Sequence, residues 1–281
     1  MTVTIRQWLA SAQAQLKRSP TPQLDARVLL CHCLGVPHSH LYAHPENRPD
    51  TITLREADAM LAARVQGQPV AYLTGKRAFF DLELEVSSAT LIPRPETELL
   101  VESALAILPA GQARLADLGT GCGAIALAIK RQRPDVQVLA SDNSLPALAV
   151  AARNQAQIGV RIHLLCAAWL QALRGGLFHA IVSNPPYVAA ADKHLGAGDT
   201  RFEPSSALVS GPAGLDDLKQ IIAHAPSHLL PGGYLLVEHG FNQAPAVRAL
   251  YRRHGFHSVH TRNDLAGHPR LCCGQWGTGR A

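Results

Sequence analysis

The heptapeptide Asp117-Leu118-Gly119-Thr120-Gly121-Cys122-Gly123 decides the fold of this chain of 281 residues. It begins inside a short apolar run at 115–118 and is followed by apolar residues at helical spacing over 124–131. Glycines at alternate positions permit a tight turn and let the backbone approach a ligand without an intervening Cβ. The stretch therefore predicts a buried strand, a glycine loop and a helix, which is the first unit of an α/β domain.

The alternation of strands and helices continues towards the C-terminal end of the chain. Short apolar runs indicate strands, and apolar residues with a period of 3.6 indicate helices. The predicted strands are 115–118, 136–141, 162–165, 180–183, 234–237 and 256–260, and the predicted helices are 96–108, 124–131, 145–157, 215–228 and 244–253. This pattern is typical of a doubly wound, mostly parallel sheet with helices on both faces.

The first 68 residues carry a different pattern, because apolar side chains recur there at helical spacing between proline-rich breaks. Residues 5, 9, 12 and 16 form one such series. From residue 77 the period changes to two, with apolar residues at 82, 84 and 86 and glutamates between them. We predict a small helical domain over 1–68, a hairpin linker over 69–92 and an α/β domain over 93–281.

An acidic residue follows the second strand of the α/β domain. Asp142 lies 19 residues after Gly123, at the end of a predicted strand, where open parallel sheets bind their ligands. Its carboxylate can accept hydrogen bonds from both hydroxyls of a ribose, or it can cap the helix that begins near residue 145. The ligand is then of adenosine type, a nicotinamide dinucleotide or S-adenosylmethionine. Asp117 favours the latter, since a carboxylate attracts an ammonium group and repels a pyrophosphate.

The tetrapeptide Asn184-Pro185-Pro186-Tyr187 follows the fourth strand and carries the most chemical information. Two prolines restrict the backbone, so the loop is rigid. The Asn184 side-chain oxygen and the Pro185 carbonyl can both accept from the NH2 group of a planar amide or amine, against which the Tyr187 ring can pack. Such a nitrogen is a poor nucleophile, and holding it about 3–3.5 Å from a methyl carbon can supply roughly 7–11 kcal/mol. We expect no general base.

These motifs together resemble the class I S-adenosylmethionine-dependent methyltransferases that act on planar nitrogen. Within them, the chain is similar to the protein-glutamine methyltransferases of class 1 peptide chain release factors. The matching stretches span nearly the whole chain and are 25–27, 69–75, 91–98, 117–123, 184–187, 201–204, 207–208 and 236–240. The resemblance implies a Rossmann-like sheet of seven strands, one of them antiparallel, and an N-terminal domain that docks the substrate.

The same resemblance implies the reaction and its partner. A methyl group passes from S-adenosylmethionine to the side-chain amide nitrogen (N5) of the glutamine in the Gly-Gly-Gln motif of a release factor, which tunes translation termination. The product is S-adenosylhomocysteine. Implied cofactor-binding residues are Gly119, Thr120, Gly121, Cys122, Gly123, Asp142, Trp169 and Asn184. Implied substrate-binding residues are Asn184, Pro185, Pro186 and Tyr187, with Asn184, Pro185 and Tyr187 as the catalytic group.

The resemblance implies roles for some of these residues and leaves others without one. Asp142 is expected on the ribose hydroxyls, and Trp169 beside the adenine or simply in the core. Cys122 occupies a position that needs only a small side chain, so no catalytic thiol is expected. Arg94 and Glu203 lie in matching motifs, but the sequence assigns neither a contact.

Composition and charge exclude other classes of protein. With 47% hydrophobic and 17% charged residues, the chain can bury a sizeable core and is not disordered. The net charge of +5 is small, and residues 1–75 hold seven basic and five acidic side chains, so no direct nucleic-acid binding is expected. Six cysteines without a C-x-x-C pair predict a reduced, cytoplasmic compartment. The sequence contains no apolar run of about 18 residues, so no membrane-spanning segment is predicted.

The histidines invite a metal hypothesis that the spacing does not support. His224 and His228 share a helix face, but the glutamate of a zinc-binding H-E-x-x-H helix is missing. We therefore predict no metal, and we expect a monomer.

Other functions remain open from the sequence. An N6-adenine DNA methyltransferase would use the same tetrapeptide, although such enzymes usually carry a sizeable basic recognition region. A glutamine methyltransferase acting on a ribosomal protein would differ in its partner. A non-catalytic binding module would keep the fold, and the intact Asn184–Tyr187 stretch argues against it.

Overall fold

The computed structural model describes residues 3–173, 175–196 and 198–277. The chain divides into two compact units. One unit comprises Met1–Lys76 and Gly196–Phe202, and the other comprises Arg77–Leu195 and Glu203–Ala281. The divisions expected after residues 68 and 92, and the docking role of the first domain, stay predictions.

The first unit is a helical bundle around its own apolar core, as the sequence predicts. Its helices are α1 (Ile5–Gln15), α2 (Pro22–Leu34), α3 (His38–Ala43), α4 (Thr51–Val65) and α5 (Val70–Thr74). Helix α1 begins at a capping box, in which the Thr4 hydroxyl accepts from the Gln7 N–H and the Gln7 side chain accepts from the Thr4 N–H. Trp8, Leu30 and Leu61 are buried in the core between the helices.

A buried ion pair joins the segment Gly196–Phe202 to the other residues of this unit. Arg64 Nε donates to Asp25 Oδ2 at 2.7 Å, and Arg64 Nη1 donates to Asp199 Oδ1 at 2.8 Å. The Arg64 and Asp25 side chains are each only 7% exposed. The hydroxyls of Ser19 and Thr21 donate to Asp25 at 2.7 and 2.8 Å. The Asp25 carboxylate is therefore both neutralised and hydrogen-bonded in a site that excludes most water.

The second unit is built on a seven-stranded sheet, preceded by a hairpin. The strands are β1 (Lys76–Phe79) and β2 (Leu82–Glu85) in the hairpin, then β3 (Arg114–Leu118), β4 (Gln137–Asp142), β5 (His163–Cys166), β6 (Phe178–Ser183), β7 (Leu229–Glu238), β8 (His257–Asn263) and β9 (Pro269–Gln275). The strand order of the large sheet is β5-β4-β3-β6-β7-β9-β8. Strand β9 runs antiparallel to both of its neighbours, and the other pairings are parallel. The expected doubly wound sheet with one antiparallel strand is confirmed.

The sequence pattern does not locate β9, although seven strands are expected. Its apolar part is the short run 271–273, which becomes fully buried only because the strand lies between β7 and β8. The predicted helix 215–228 is also too long. Helix α9 is Asp216–His224, and a tight turn follows at Ala225–Ser227. Pro226 has no N–H to continue the helix, which explains the early end.

The remaining helices cover the sheet. They are α6 (Glu98–Ile107), α7 (Ala124–Gln132), α8 (Leu145–Ile158) and α10 (Ala244–Arg253). The chain leaves β3 for β4 on one side and later returns to β6 on the other side of β3. This reversal opens a crevice at the carboxyl ends of β3, β4 and β6. Among the residues described, no helix combines the length and the apolar character needed to cross a membrane.

Candidate active site

A cleft lies at the carboxyl ends of β3, β4 and β6, where the sequence places the site. The predicted site residues that line it are Gly119, Thr120, Gly121, Cys122, Asp142, Trp169, Asn184 and Pro186. Gly123, Pro185 and Tyr187 are described residues that do not line the cleft. Most of the predicted cofactor group thus comes together on one surface, while half of the predicted substrate group lies behind it.

The glycine loop is held against the neighbouring strand. The N–H groups of Gly119 and Thr120 donate to the Ser141 carbonyl at 2.8 and 2.9 Å. Gly123 has a φ of +88°, and a Cβ there would lie 2.9 Å from the Leu127 side chain. Gly123 is therefore required for the packing of helix α7 against the loop. Its role is to support the loop from outside the cleft.

Asp117 lies behind the loop and does not line the cleft itself. Its Oδ2 accepts from the Thr120 hydroxyl at 2.7 Å and from the Ala126 N–H at 3.2 Å. Its Oδ1 is buried and has no hydrogen-bond partner among the described residues. Burial raises the pKa of this carboxyl to about 7, against the effect of the two hydrogen bonds. Asp117 therefore holds the glycine loop from behind, and its attraction for a ligand's ammonium group stays a prediction.

Asp142 stands at the tip of β4 with both carboxylate oxygens in use. Oδ2 accepts from the Gly121 N–H at 2.9 Å, and Oδ1 accepts from the Ser144 N–H at 2.9 Å. Asp142 is not the N-cap of helix α8. Ser144 is the N-cap, and its hydroxyl accepts from the Ala147 N–H. Each Asp142 oxygen keeps a second lone pair, and the residue lines the cleft.

Trp169 forms a flat wall of the cleft beside the glycine loop. Its backbone is in the left-handed region, with a φ of +49°. A Cβ on Gly119 would lie 3.1 Å from Cζ3 of the indole ring. The absence of a side chain at Gly119 therefore allows the ring to approach the loop closely.

The tetrapeptide is tied to a buried network. Asn184 Nδ2 donates to Thr97 Oγ1 at 3.0 Å, and the Thr97 hydroxyl donates to Glu238 Oε2 at 2.8 Å. The Tyr187 hydroxyl donates to Glu238 Oε1 at 3.1 Å. Burial raises the pKa of Glu238 to about 7, and the hydrogen bonds and the charge of Arg270 oppose it. The Tyr187 ring packs against the buried core of the second unit and so helps to hold the loop in place.

Arg94 and Glu203, which the sequence left without contacts, pair with each other. Arg94 Nη2 lies 2.5 Å from Glu203 Oε2, and Glu203 Oε1 accepts from the Ile92 N–H at 3.1 Å. The Glu203 side chain is fully buried, while the Arg94 side chain is 31% exposed. This pair fastens the segment before α6 to the chain around Glu203, and both segments contribute residues to the cleft.

Sequence reasoning missed three supporting residues. Thr97 and Glu238 stood in quoted motifs, but nothing in their spacing indicates that they meet. Asn154 is completely buried, and its Nδ2 donates to the carbonyls of Cys122 and Glu85 at 2.9 Å each. A single polar residue on the apolar face of α8 was the signal that could have identified it.

Neither the histidines nor the cysteines form a reactive cluster. His228 contacts the carbonyls of His224 and Leu173 through its two ring nitrogens. No group of three or more metal-ligating side chains occurs within the described ranges. All six cysteines, each within those ranges, are free thiols. Burial raises the pKa of Cys122 to about 12, so its thiol is protonated.

Two family models match the chain. The PrmC N-terminal domain matches residues 7–75, and the methyltransferase small domain matches residues 95–211. Curated relatives match over nearly the full length. A release factor glutamine methyltransferase of Salmonella typhimurium is 47% identical over 96% of this chain and 98% of its own, and one of Pseudomonas aeruginosa is 49% identical over 94% and 96%.

Solved structures share the fold at much lower sequence identity. A methyltransferase from Pyrococcus furiosus has a TM-score of 0.55 and 17% identity, covering 78% of this chain and 99% of that one. A 16S rRNA methyltransferase of T. Thermophilus in complex with AdoMet and guanosine has a TM-score of 0.53 and 19% identity, covering 72% and 49%. These similarities concern the fold alone, whereas the near full-length identity to the curated relatives shows more: the chain belongs to the release factor glutamine methyltransferase family.

Proposed function

We propose that this protein transfers a methyl group from S-adenosylmethionine to the side-chain amide nitrogen of the glutamine in the Gly-Gly-Gln motif of class 1 release factors, leaving S-adenosylhomocysteine. The observation that carries the proposal is the direction of the Asn184 amide. Its Nδ2 is engaged by Thr97 at 3.0 Å, which leaves Oδ1 as the acceptor at the cleft. An acceptor there suits a substrate NH2 group.

The residues of the cleft fit S-adenosylmethionine. Asp142 has lone pairs for two ribose hydroxyls, and Trp169 offers a flat surface beside Gly119 for the adenine. The buried Asp117 Oδ1, which has no hydrogen-bond partner among the described residues, favours a cationic ligand, because a nearby positive charge stabilises the ionised carboxylate. The bound cofactor supplies an electrophilic methyl group on a positively charged sulfur. No step of this proposal requires a metal.

In this reaction the role of the protein is to position the nucleophile. An amide nitrogen has a delocalised lone pair, so its reactivity depends on being held in line with the methyl carbon. The Asn184 oxygen would accept one N–H of the substrate amide, and Pro186 lines the cleft beside it. The Pro185 carbonyl, the second acceptor that the sequence predicts, belongs to a residue that does not line the cleft, and its contact with the substrate stays a prediction. The rigid tetrapeptide, supported by the Tyr187 hydroxyl on Glu238, keeps the Asn184 acceptor fixed.

We further propose that the helical unit docks the release factor and that the reaction takes place in the cytoplasm. The match of residues 7–75 to the PrmC N-terminal domain supports a role shared within the family. The six free thiols suit a reducing compartment.

The decisive experiment supplies purified protein with S-adenosylmethionine labelled in its methyl group. We expect label in a purified class 1 release factor, and none in a factor whose motif glutamine is replaced by alanine. Parallel reactions contain duplex DNA and ribosomal protein. Label in either of these, with none in the release factor, would show that the substrate assignment is wrong.

A variant of the acceptor tests the chemistry. Asn184→Ala removes the proposed acceptor, so turnover should be lost while S-adenosylhomocysteine binds with nearly unchanged affinity in calorimetry. Activity retained by this variant would mean that other groups hold the amide.

A further inference from the structure

We infer that Glu238, acting through the Thr97 hydroxyl, sets which end of the Asn184 amide faces the cleft and thereby makes the site an acceptor. Glu238 and Thr97 are positioning residues in this scheme, since they act through Asn184. The inference rests on the proposed function, because it explains how the acceptor for a substrate NH2 group is fixed.

The protons of Glu238, Thr97 and Asn184 fix the direction of each hydrogen bond along the relay. A carboxylate only accepts hydrogen bonds, and a hydroxyl has one proton to give. Thr97 Oγ1 lies 2.8 Å from Glu238 Oε2, so its proton is committed there. Its oxygen can then only accept from Asn184, at 3.0 Å, which requires the NH2 end of that amide. The nitrogen and oxygen of an amide are otherwise hard to tell apart, and this chain of donors resolves the choice.

Protonated Glu238 would permit the opposite arrangement. A proton on Oε2 would be donated to Thr97, whose own proton would then go to the Asn184 oxygen. The Asn184 NH2 group would face the cleft and meet the NH2 group of the substrate, donor against donor. One proton on a group that does not line the cleft therefore reverses the hydrogen-bonding character of the site.

The environment of Glu238 makes this exchange accessible near neutral pH. Glu238 is 2% exposed. Thr97 and Tyr187 donate to its two oxygens, Arg270 on β9 contributes a positive charge and Glu96 a negative one. Arg270 is itself paired with Asp264 at 3.0 Å. With burial as the largest cause, the pKa of Glu238 is raised to about 7. The ionised form orients the amide, so kcat should rise as the pH increases through this range.

Two substitutions at Thr97 form a matched pair. Thr97→Ser keeps the hydroxyl, whereas Thr97→Val keeps the shape and removes it. We expect Thr97→Ser to retain kcat within about threefold and Thr97→Val to lose about tenfold to a hundredfold, the range for a misplaced reacting group. Calorimetric affinity for S-adenosylhomocysteine should stay within about twofold of wild type in both, because the hydroxyl of Thr97, although this residue lines the cleft, is bonded to Glu238 and Asn184.

A variant of Glu238 tests whether ionisation of this carboxyl controls kcat. It also tests the inference if Thr97→Val does not fold. In Glu238→Gln the side chain no longer ionises, so the rise of kcat near pH 7 should disappear. The double variant Thr97→Val/Glu238→Gln should be no slower than Thr97→Val alone, because both changes break the same relay. Equal kcat values for the Ser and Val variants, or an unchanged pH profile in Glu238→Gln, would overturn the inference.

The outcomes separate this inference from the proposed function. Methyl transfer to the release factor by the wild-type protein supports the proposed function whatever the variants do. Wild-type transfer combined with a silent Thr97→Val overturns the relay alone. A wild-type protein that does not label the release factor overturns both.

Discussion

Replacing Gly119 by alanine should weaken cofactor binding by displacing Trp169. The Gly119 φ of +72° lies in the left-handed region, where a residue with a Cβ loses about 1–2 kcal/mol. The new Cβ would also lie 3.1 Å from the indole Cζ3 and 3.5 Å from Cη2. Carbon atoms prefer about 3.5–4.0 Å, so the ring has to move by roughly half an ångström. We expect about a tenfold loss of affinity for S-adenosylhomocysteine, or about 1.4 kcal/mol.

Gly159→Ala is the matched control for this experiment. Gly159 has nearly the same backbone angle, with a φ of +74°, and a Cβ there meets nothing within 4 Å. Both variants should lose about 1–2 kcal/mol of unfolding free energy in a denaturant titration. Only Gly119→Ala should lose affinity for S-adenosylhomocysteine in calorimetry. In a protein that already carries Trp169→Ala, adding Gly119→Ala should cause no further loss of affinity. If Gly119→Ala binds the cofactor as tightly as Gly159→Ala, the Trp169 ring does not form the binding wall.

Further predictions concern the ribose contact and two buried charges. Asp142→Ala should weaken S-adenosylhomocysteine binding about a hundredfold in calorimetry, since charge-assisted bonds contribute about 1.5–3 kcal/mol each; unchanged affinity would disprove the ribose assignment. Because burial raises the pKa of Glu238 from 4.5 to about 7, the protonated side chain stabilises the folded state fully below about pH 4.5. This stabilisation is lost as the pH rises through about 7. Relative to Glu238→Gln, wild type should therefore lose about 3 kcal/mol of unfolding free energy across that window, and a pH-independent difference would contradict the burial. Arg64→Met strands the buried Asp25 and should cost about 3–5 kcal/mol. Arg153→Met breaks an exposed pair with Glu85 and should cost much less than Arg64→Met when both are measured by denaturant titration, so equal losses would contradict the burial argument.

The sequence predicts the parts of the site that depend on local geometry. The glycine loop and Asp142 each follow a strand, and parallel strands end at one edge of a sheet, so their meeting in the cleft follows from the strand pattern. The rigid loop after β6 is also a local property of two prolines.

Contacts that depend on the order of the strands could not be predicted. Thr97 and Glu238 are separated by 141 residues, and they meet because helix α6, which begins directly after Thr97, packs against β7. The hydrogen bond from the Tyr187 hydroxyl to Glu238 has no local sequence signal either, and the packing of the Tyr187 ring against the substrate stays a prediction. Strand β9 is buried by its two neighbours, and no periodicity within seven residues indicates that.

The discontinuous helical unit has a consequence for protein engineering. Because Gly196–Phe202 belongs to that unit, the backbone passes between the two units three times, after residues 76, 195 and 202. The unit is therefore not an N-terminal cassette that can be exchanged between relatives by a single splice. A chimera that replaces only residues 1–76 gives Asp199 a foreign arginine or none, whereas one that also exchanges the short second segment keeps the pair with Arg64 intact. Homologue shuffling in this family should accordingly treat the two segments as one inherited module.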